Sequence, residues 1–449
     1  MAQETEKVPL RVILLYALGQ AGWSLAVYGV SNLLNYFYMP PEADNADISP
    51  PYIYQGAILG VVTLLGLISF GGRFIDAFID PIVAGWSDRT VSRIGRRRKF
   101  MAFAFVPLAL FGWLAFIPLQ AGVSLLNAAW LIIVLLIFYF SFSMYVTPYT
   151  ALISELGHRG NQTLLISTVV SVAWAVGFGI GINIYYCQSL VQAAVHVAPH
   201  VAFQIVLGLF SLLSALLMAV PVLFVNEPRY CAQIPSEKGS WEAVKLVFQN
   251  HNFKWFAVSD LLYWLSLTFI QMGMGYYITI LLGLPPKQAS LLQMVMLGAS
   301  FLFYVPVNIM AHKWGKKRLM QVSFLSFSAV FIAVAFMGKL SVSPVVHAVG
   351  LGIIAALPIA IFSILPNAVV ADIIDEDAIL TGDHKAGQFY AVRTFMMKVG
   401  ISLANLLFPS LLLLGKSSQN STGIRLTAIV AAIFCFLGWL CFKPYRDKF

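Results

Sequence analysis

Three ionisable residues share one face of an otherwise apolar stretch. In GGRFIDAFIDPIVAGWSD, Arg73, Asp76 and Asp80 stand at i, i+3 and i+7, a spacing that puts them on one stripe of a helix. An ionisable group near the centre of a bilayer costs about 2.5–3.5 kcal/mol on insertion scales, so a stripe of three does not face lipid. The two carboxylates are one turn apart and repel each other. In a dry site they must share a proton, pair with a cationic side chain or bind a cation. Two readings are open: a site for a coupling ion, or a static network with Arg73 that holds helices together. A second stretch, GQFYAVRTFMMKVG, begins at Gly387 and carries Gln388, Arg393, Thr394 and Lys398. Lys398 lies well inside its apolar run and needs a carboxylate or a water-filled cavity. Asp76 and Asp80 are the expected partners if these two helices approach. The alternative is snorkelling to the surface, which about ten following apolar residues oppose.

Composition says what must position these charges. Of 449 residues, 59% are hydrophobic and only 10% charged, whereas soluble proteins carry about 25% charged residues. Twelve spanning helices of about 20 apolar residues would use about 240 of them. A soluble enzyme, a nucleic-acid-binding protein and a single-anchor receptor are excluded. Twelve hydrophobic segments run roughly over 10–39, 52–86, 99–119, 124–155, 163–190, 201–225, 254–283, 287–311, 318–338, 344–374, 388–415 and 423–442. The N-terminus shows no typical signal peptide. The four cysteines, Cys187, Cys231, Cys435 and Cys441, are too scattered for a disulfide framework.

The longest polar stretch, 226–253, divides six segments from six. Within it, Trp241, Val244, Val247 and Phe248 recur at helical spacing; an amphipathic surface helix and a plain solvated linker are both open. Of 28 Lys and Arg, only Lys287, Lys339, Lys416 and Arg425 lie opposite the side where the rest outside the spans gather, and Arg73, Arg393 and Lys398 lie within spans. The positive-inside rule places the linker and both termini in the cytoplasm, and the net charge of +9 is not a DNA footprint. A basic, glycine-led turn occurs twice, GRRRKFM from Gly95 and GKKRLM from Gly315, about half the chain apart. Such recurrence is what two parallel repeats give. The expectation is an all-α membrane protein of twelve transmembrane helices in two pseudo-symmetric six-helix bundles. The first occupies 1–225, the linker 226–253 and the second 254–449, the major facilitator arrangement.

At the cytoplasmic ends, Asp88 and Arg89 close the second segment, Glu155 closes the fourth and Arg159 follows it. Asp372 and Asp375 lie in ADIIDED at the end of the tenth. Opposite charges from the two halves could bridge in one state and part in another; solvated loop charge is the alternative. Asp260, early in the seventh segment, reads as lying near the cytoplasmic interface. No His/Cys/carboxylate cluster with metal spacing, P-loop or GxSxG motif is present, so no catalytic or nucleotide-driven chemistry is expected.

The string RFIDAFIDPIVAGWSDRTVSRIGRRRKF resembles the helix-two signature and following loop of the glycoside–pentoside–hexuronide:cation symporters, the melibiose-permease group of the major facilitator superfamily. The resemblance extends through VTPYTALISEL, VFQNHNF, VVADIIDEDAILTG and AVRTFMMKVG, and so over nearly the whole chain. It implies cation-coupled sugar symport by alternating access in the plasma (bacterial inner) membrane. A single chain suffices, and no cofactor is needed beyond the coupling ion, Na⁺ or H⁺. It implies that Asp76, Asp80 and Ser143 form the cation site with Lys398 beside it. It also shows departures. The sugar carriers' acidic residues in helices four and one align with Val146 and Ala21, an Arg in helix five with Ser167, and an aromatic with Thr150. The charged sugar clamp is mostly missing. What remains for a substrate is Gln20, Trp23, Tyr36, Thr147, Tyr149, Gln388, Tyr390, Arg393 and Thr394. A glycoside, an anion held by Arg393, or an amphiphile such as a lysophospholipid all stay open. So does an uncoupled uniporter.

Overall fold

The computed structural model describes residues 7–42, 50–58, 60–157, 162–231, 247–339, 341–381 and 386–446. Apart from a single turn in the polar stretch that divides the chain, its helical runs fall on the twelve apolar segments. The first run is α1 (Leu10–Tyr28), a π-helical turn (Gly29–Leu33) and α2 (Leu34–Tyr38). A small antiparallel hairpin, β1 (Ala57–Ile58) and β2 (Val62–Thr63), with Ala57 opposite Thr63, leads into α3 (Leu64–Arg89). Then come α4 (Arg96–Leu114), α5 (Leu125–Gly157), α6 (Gln162–Ile182) with its continuation α7 (Ile184–Val195), α8 (Pro199–Phe224) and a single turn, α9 (Glu227–Tyr230). The later half opens with α10 (His251–Tyr276) and a second π-helical turn (Tyr277–Leu281). It continues with α11 (Lys287–Leu302), α12 (Tyr304–Trp314), α13 (Lys316–Ala335), α14 (Pro344–Thr381), α15 (Ala386–Leu412) and α16 (Thr422–Phe442).

Among the described residues, eight helices are long and apolar enough to cross a membrane, or nine if α11 and α12, bent by 47°, form one span. The runs that fall short are α3, α4 and α10. Each carries charged or polar residues, and in α3 these include the stripe at Arg73, Asp76 and Asp80. Trp241 and Val244 of the amphipathic stretch in the linker lie outside the described residues, as does Arg159; Val247 is buried.

The chain forms two compact units, Met1–Tyr38, Ile48–Tyr54 and Ile75–Gly239 in one, Met39–Asp47, Gln55–Phe74 and Ser240–Phe449 in the other. Within the first, α1 packs on α6 and α8, α4 on α5 and α8, and α5 on α6. Within the second, α10 packs on α15 and α16, α13 on α14 and α16, and α14 on α15. These five pairings correspond between the halves, as a duplicated bundle requires, and the later half adds a packing of α11 on α14. The early residues counted with the second unit are tied to its α15–α16 connection. Lys416 Nζ donates to Pro40 O at 3.1 Å, and Glu42 N donates to Lys416 O at 3.1 Å. The π-helical turns also correspond. A π turn displaces a carbonyl from its usual N–H, and in each half a side chain bonds a carbonyl four residues back. Asn32 Nδ2 donates to Tyr28 O at 3.1 Å, and Thr279 Oγ1 to Gly275 O at 2.7 Å.

The repeated glycine-led turns keep their expected place. Gly95 (φ 110°) and Gly315 (φ 81°) precede the first residues of α4 and α13. The free N–H groups at the start of α4 are capped from far along the chain: Arg97 N donates to Glu227 Oε1 at 3.1 Å and Arg98 N to Glu227 Oε2 at 2.7 Å. In return Arg98 bonds the last carbonyls of α8, Val222 O through Nε and Leu223 O through Nη2 at 3.0 Å. The N-terminus of α4 and the C-terminus of α8 are thereby satisfied together. A Cβ on Gly95 would meet Glu227 Oε2 at 2.3 Å, and its backbone region costs a residue with a side chain about 1–3 kcal/mol. Gly95→Ala should therefore lower the melting temperature of the purified protein in detergent; an unchanged melt would remove this cap from the account. Burial raises the Glu227 carboxyl above the usual range, outweighing the two backbone donors. A raised value means that the folded protein holds this proton more tightly than the unfolded chain, so the contribution is lost as pH rises through the raised value. Stability of the native chain should fall across that window relative to Glu227→Gln, in melts taken over a pH series.

Candidate functional site

The acidic pair is built as the spacing demands, and it lies within the first unit. Asp76 and Asp80 stand one turn apart on α3, and Ser143 and Thr147 stand one turn apart on α5. The two stripes meet in register. Ser143 Oγ lies 2.6 Å from Asp76 Oδ1 and 2.7 Å from Asp80 Oδ1, and Thr147 Oγ1 donates to Asp80 Oδ1 at 3.0 Å. Asp76 and Ser143 are fully buried and Asp80 is half-buried. Each stripe is followed by a proline, Pro81 in α3 and Pro148 in α5. A proline has no N–H and frees the carbonyl four residues back, so oxygen is concentrated at this level of both helices.

A hydroxyl carries a single proton to donate and two lone pairs to accept with. Ser143 can donate to one of its two carboxylate neighbours. The other contact, at hydrogen-bond distance, calls for a proton on the carboxyl group or for positive charge beside the oxygens, from a cation or a basic side chain. The donor set, two carboxylates and two hydroxyls, is all hard oxygen, the type that suits H⁺ or an alkali or alkaline-earth cation rather than a thiophilic metal.

Other expected site residues fall into different places. Thr147, read as a substrate residue, instead joins the oxygens around the acidic pair. Tyr149 and Tyr36 are fully buried, which corrects their reading as substrate contacts. Tyr149 is clasped to α1: its ring stacks on Tyr16 with centroids 4.4 Å apart, its hydroxyl donates to Tyr16 O at 2.9 Å, and the Tyr16 hydroxyl donates to Tyr149 O. An aromatic hydroxyl satisfied by a neighbouring helix is packing, not recognition. Tyr36 packs its ring edge-on against Tyr185 at 5.2 Å. Gln20 accepts from Trp23 Nε1 at 3.1 Å, and Trp23 meets Phe142 edge-on at 5.7 Å. In the second unit, Tyr390 and Thr394 are exposed and Gln388 is half-buried, with Thr394 Oγ1 bonded to Tyr390 O at 2.9 Å. Lys398 is 3% exposed on α15, and Arg73 is 6% exposed on α3, depths at which neither snorkels.

Arg393 has a partner that spacing did not reveal. Its Nε donates to Asp260 Oδ2 at 3.0 Å, and Nη1 donates to Asn367 Oδ1. Asp260 is 2% exposed, so it does not sit at the interface as expected but is buried on α10, with Phe256 and Trp264 one turn to either side.

The cytoplasmic charges are engaged inside each unit. Glu155 Oε1 accepts from Arg96 Nη2 at 2.9 Å and from Arg97 Nε and Nη2 at 3.0 and 2.9 Å, while Arg97 also pairs with Asp88. Asp372 pairs with Lys316 at 2.6 Å. Arg89 and Asp375 are exposed. Beside Asp375, Glu376 and Asp377 accept from Asn252 at 2.8 Å and Asn250 at 3.0 Å.

Comparison with known proteins agrees with this architecture. Residues 15–442 match the family described as MFS/sugar transport protein, and the chain belongs to it. A protein of Synechocystis sp. described as an uncharacterized symporter is 22% identical over 479 residues, covering 89% of this chain and 84% of that one. The solved structure of a mutant of the nucleoside transporter NupG superposes with a TM-score of 0.71 at 14% identity, over 97% of this chain and 100% of that one. A bacterial homologue of the human lysosomal transporter Spinster gives 0.64 at 13% identity, over 97% of this chain and 96% of that one. The fold is the major facilitator fold, and the protein is an integral membrane transporter, not an enzyme.

If the Ser143 hydroxyl bridges the two carboxylates, Ser143→Ala leaves them facing each other without it. Thermal protection by Na⁺ or by acid pH should then weaken by about tenfold in the concentration needed, one hydrogen bond to a charged group being worth about 1.5–3 kcal/mol. Protection unchanged in Ser143→Ala would separate the hydroxyl from the cation.

Proposed function

We propose that this transporter is a secondary active symporter that couples a cation, Na⁺ or H⁺, to the movement of a glycoside-type small molecule by alternating access. The observation that carries the reading is the single Ser143 hydroxyl within 2.7 Å of both Asp76 and Asp80. Two carboxylates drawn this close to one hydroxyl are stabilised by added positive charge, so the pair changes its interactions when the cation leaves. Cation and substrate then favour each other reciprocally, each raising the other's affinity by the same factor. One net positive charge moved inward yields about 2.3 kcal/mol per 100 mV, enough for about fifty-fold accumulation. The helix-two signature supports the glycoside class. The anion alternative loses support, because Asp260 already neutralises Arg393.

The test is uptake of radiolabelled glycosides into vesicles with and without an imposed Na⁺ or pH gradient. Asp80→Asn should abolish gradient-driven accumulation while leaving passive exchange of substrate, and Asp76→Asn and Lys398→Ala should uncouple in the same way. Gradient-driven accumulation that survives Asp80→Asn would refute coupling at this pair, and native uptake indifferent to both gradients would leave a uniporter.

A further inference from the structure

The substrate side of this molecule lacks the acidic and basic residues expected on helices one, four and five, where Ala21, Val146 and Ser167 stand. The same residue types occur together elsewhere, entirely within the second unit. Asp260 on α10, Asn367 on α14 and Arg393 on α15 come from points more than a hundred residues apart in the chain for the outermost pair, and their side chains meet. We propose that Asp260, Arg393 and Asn367, with the Trp264 ring, form a subsite that binds the hydroxyl groups of a neutral, polyhydroxylated substrate; the inference rests on the transport reading above and locates its recognition.

Four observations carry it. First, the cluster lies within membrane-spanning helices, where a guanidinium and a carboxamide do not face acyl chains. Arg393 is nevertheless 14% exposed at its side chain and Asn367 is exposed, so part of each polar group is left uncovered by the protein. Second, the hydrogen-bonding capacity is partly spent. A guanidinium has five N–H donors; one goes to Asp260, one to Asn367, and the others meet no acceptor among the described residues. The Asn367 amide N–H groups have no acceptor there either, and Asp260 Oδ1 and Trp264 Nε1 are buried without a well-formed hydrogen bond. Asp260 Oδ1 and Trp264 Nε1 lie against each other, so the groups left for a ligand's hydroxyl oxygens are the N–H donors of Arg393 and Asn367. Third, the charge is balanced. Asp260 is fixed on Arg393 at 3.0 Å, so an anion would compete with a built-in carboxylate, whereas a neutral polyol would not. Fourth, Trp264 lies one turn from Asp260 on the same face of α10 and is half-buried, offering an indole surface of the kind on which the apolar face of a sugar ring packs.

In this arrangement Arg393 and Asn367 contact substrate, and Asp260 is a positioning residue that also sets the charge preference. The test uses the full chain in detergent and measures binding of the nitrophenyl glycosides of glucose, galactose and xylose, and of nitrophenyl glucuronide, by isothermal titration. The native protein should bind a neutral glycoside in preference to the glucuronide. Arg393→Lys, which keeps the charge and loses the planar fork, and Asn367→Ala should each weaken glycoside binding about tenfold or more. Asp260→Asn should shift the preference toward the glucuronide, a change that a merely structural residue would not produce. Cation-dependent thermal protection, retained in Arg393→Lys and Asn367→Ala, reports that the fold and the acidic pair are intact. If Asp260→Asn does not fold, those two variants decide alone. Glycoside binding left within twofold by both variants overturns this subsite while leaving the symport reading standing; a native preference for the glucuronide overturns it too. A native protein that binds none of the glycosides overturns the glycoside reading and the subsite together.

Discussion

One proton cannot serve two carboxylates at once. That restriction on the Ser143 hydroxyl, held between Asp76 and Asp80, is what gives the rest of the molecule its meaning. In water two carboxylates one turn apart would each be solvated and indifferent to their neighbour. On a helix inside a membrane protein each depends on what the neighbouring helices present to it, and added positive charge is worth far more there than in water. On the symport reading, the cation supplies that charge. The helices around the pair set its geometry: α5 holds two hydroxyls at the same rise as the two acids, and Tyr16 and Tyr149 clasp α5 to α1.

The bilayer also explains where the remaining polar groups go. Each half binds its own helix ends and cytoplasmic charges: Glu227 caps α4 while Arg98 caps α8, and Lys316 holds Asp372 beside the corresponding turn of the later half. Most helix pairings recur in both halves, and the same glycine-led turn starts α4 and α13. A duplicated bundle inherits its solutions in duplicate. The two halves then differ where the chemistry differs, with an acidic stripe on α3 and a balanced acid–base cluster between α10, α14 and α15.

What could be read from the residues alone follows from this. Segments, the repeat and the acidic stripe were legible because each is a pattern along the chain itself. Ser143 entered through a resemblance, yet Ser143 and Thr147 repeat the one-turn spacing of Asp76 and Asp80, and that match of stripes was a signal for placing Thr147 with the acids. Tyr36 and Tyr149 misled because a tyrosine in an apolar segment reads as a polar handle. A ring partner such as Tyr185, or a backbone carbonyl such as that of Tyr16, engages it out of sight of the sequence. The Asp260–Arg393 pair was illegible because its members are 133 residues apart. Only the fold brings them together, and nothing in either segment names the other. Asp260 lies two turns inward from Asn252, too deep for an interface residue, which was the available clue.

Charge accounting joins the two clusters. Away from the ends of the spans, the described helices hold Arg73, Arg393 and Lys398 against Asp76, Asp80 and Asp260. These sum to zero when all six are ionised, and Asp260 is committed to Arg393. On the symport reading, the interior of the carrier would then be electrically neutral when empty and gain one positive charge when a monovalent cation joins the acidic pair. Because a transmembrane potential acts only on net charge moved, the voltage would bear on the loaded carrier and leave the return of the empty one nearly untouched. A neutral substrate would preserve that asymmetry, and an anion would cancel it. The balanced cluster around Arg393 and the acidic pair around Ser143 are in this sense complementary: the first would keep the cargo from altering the charge, and the second would make the cation supply it.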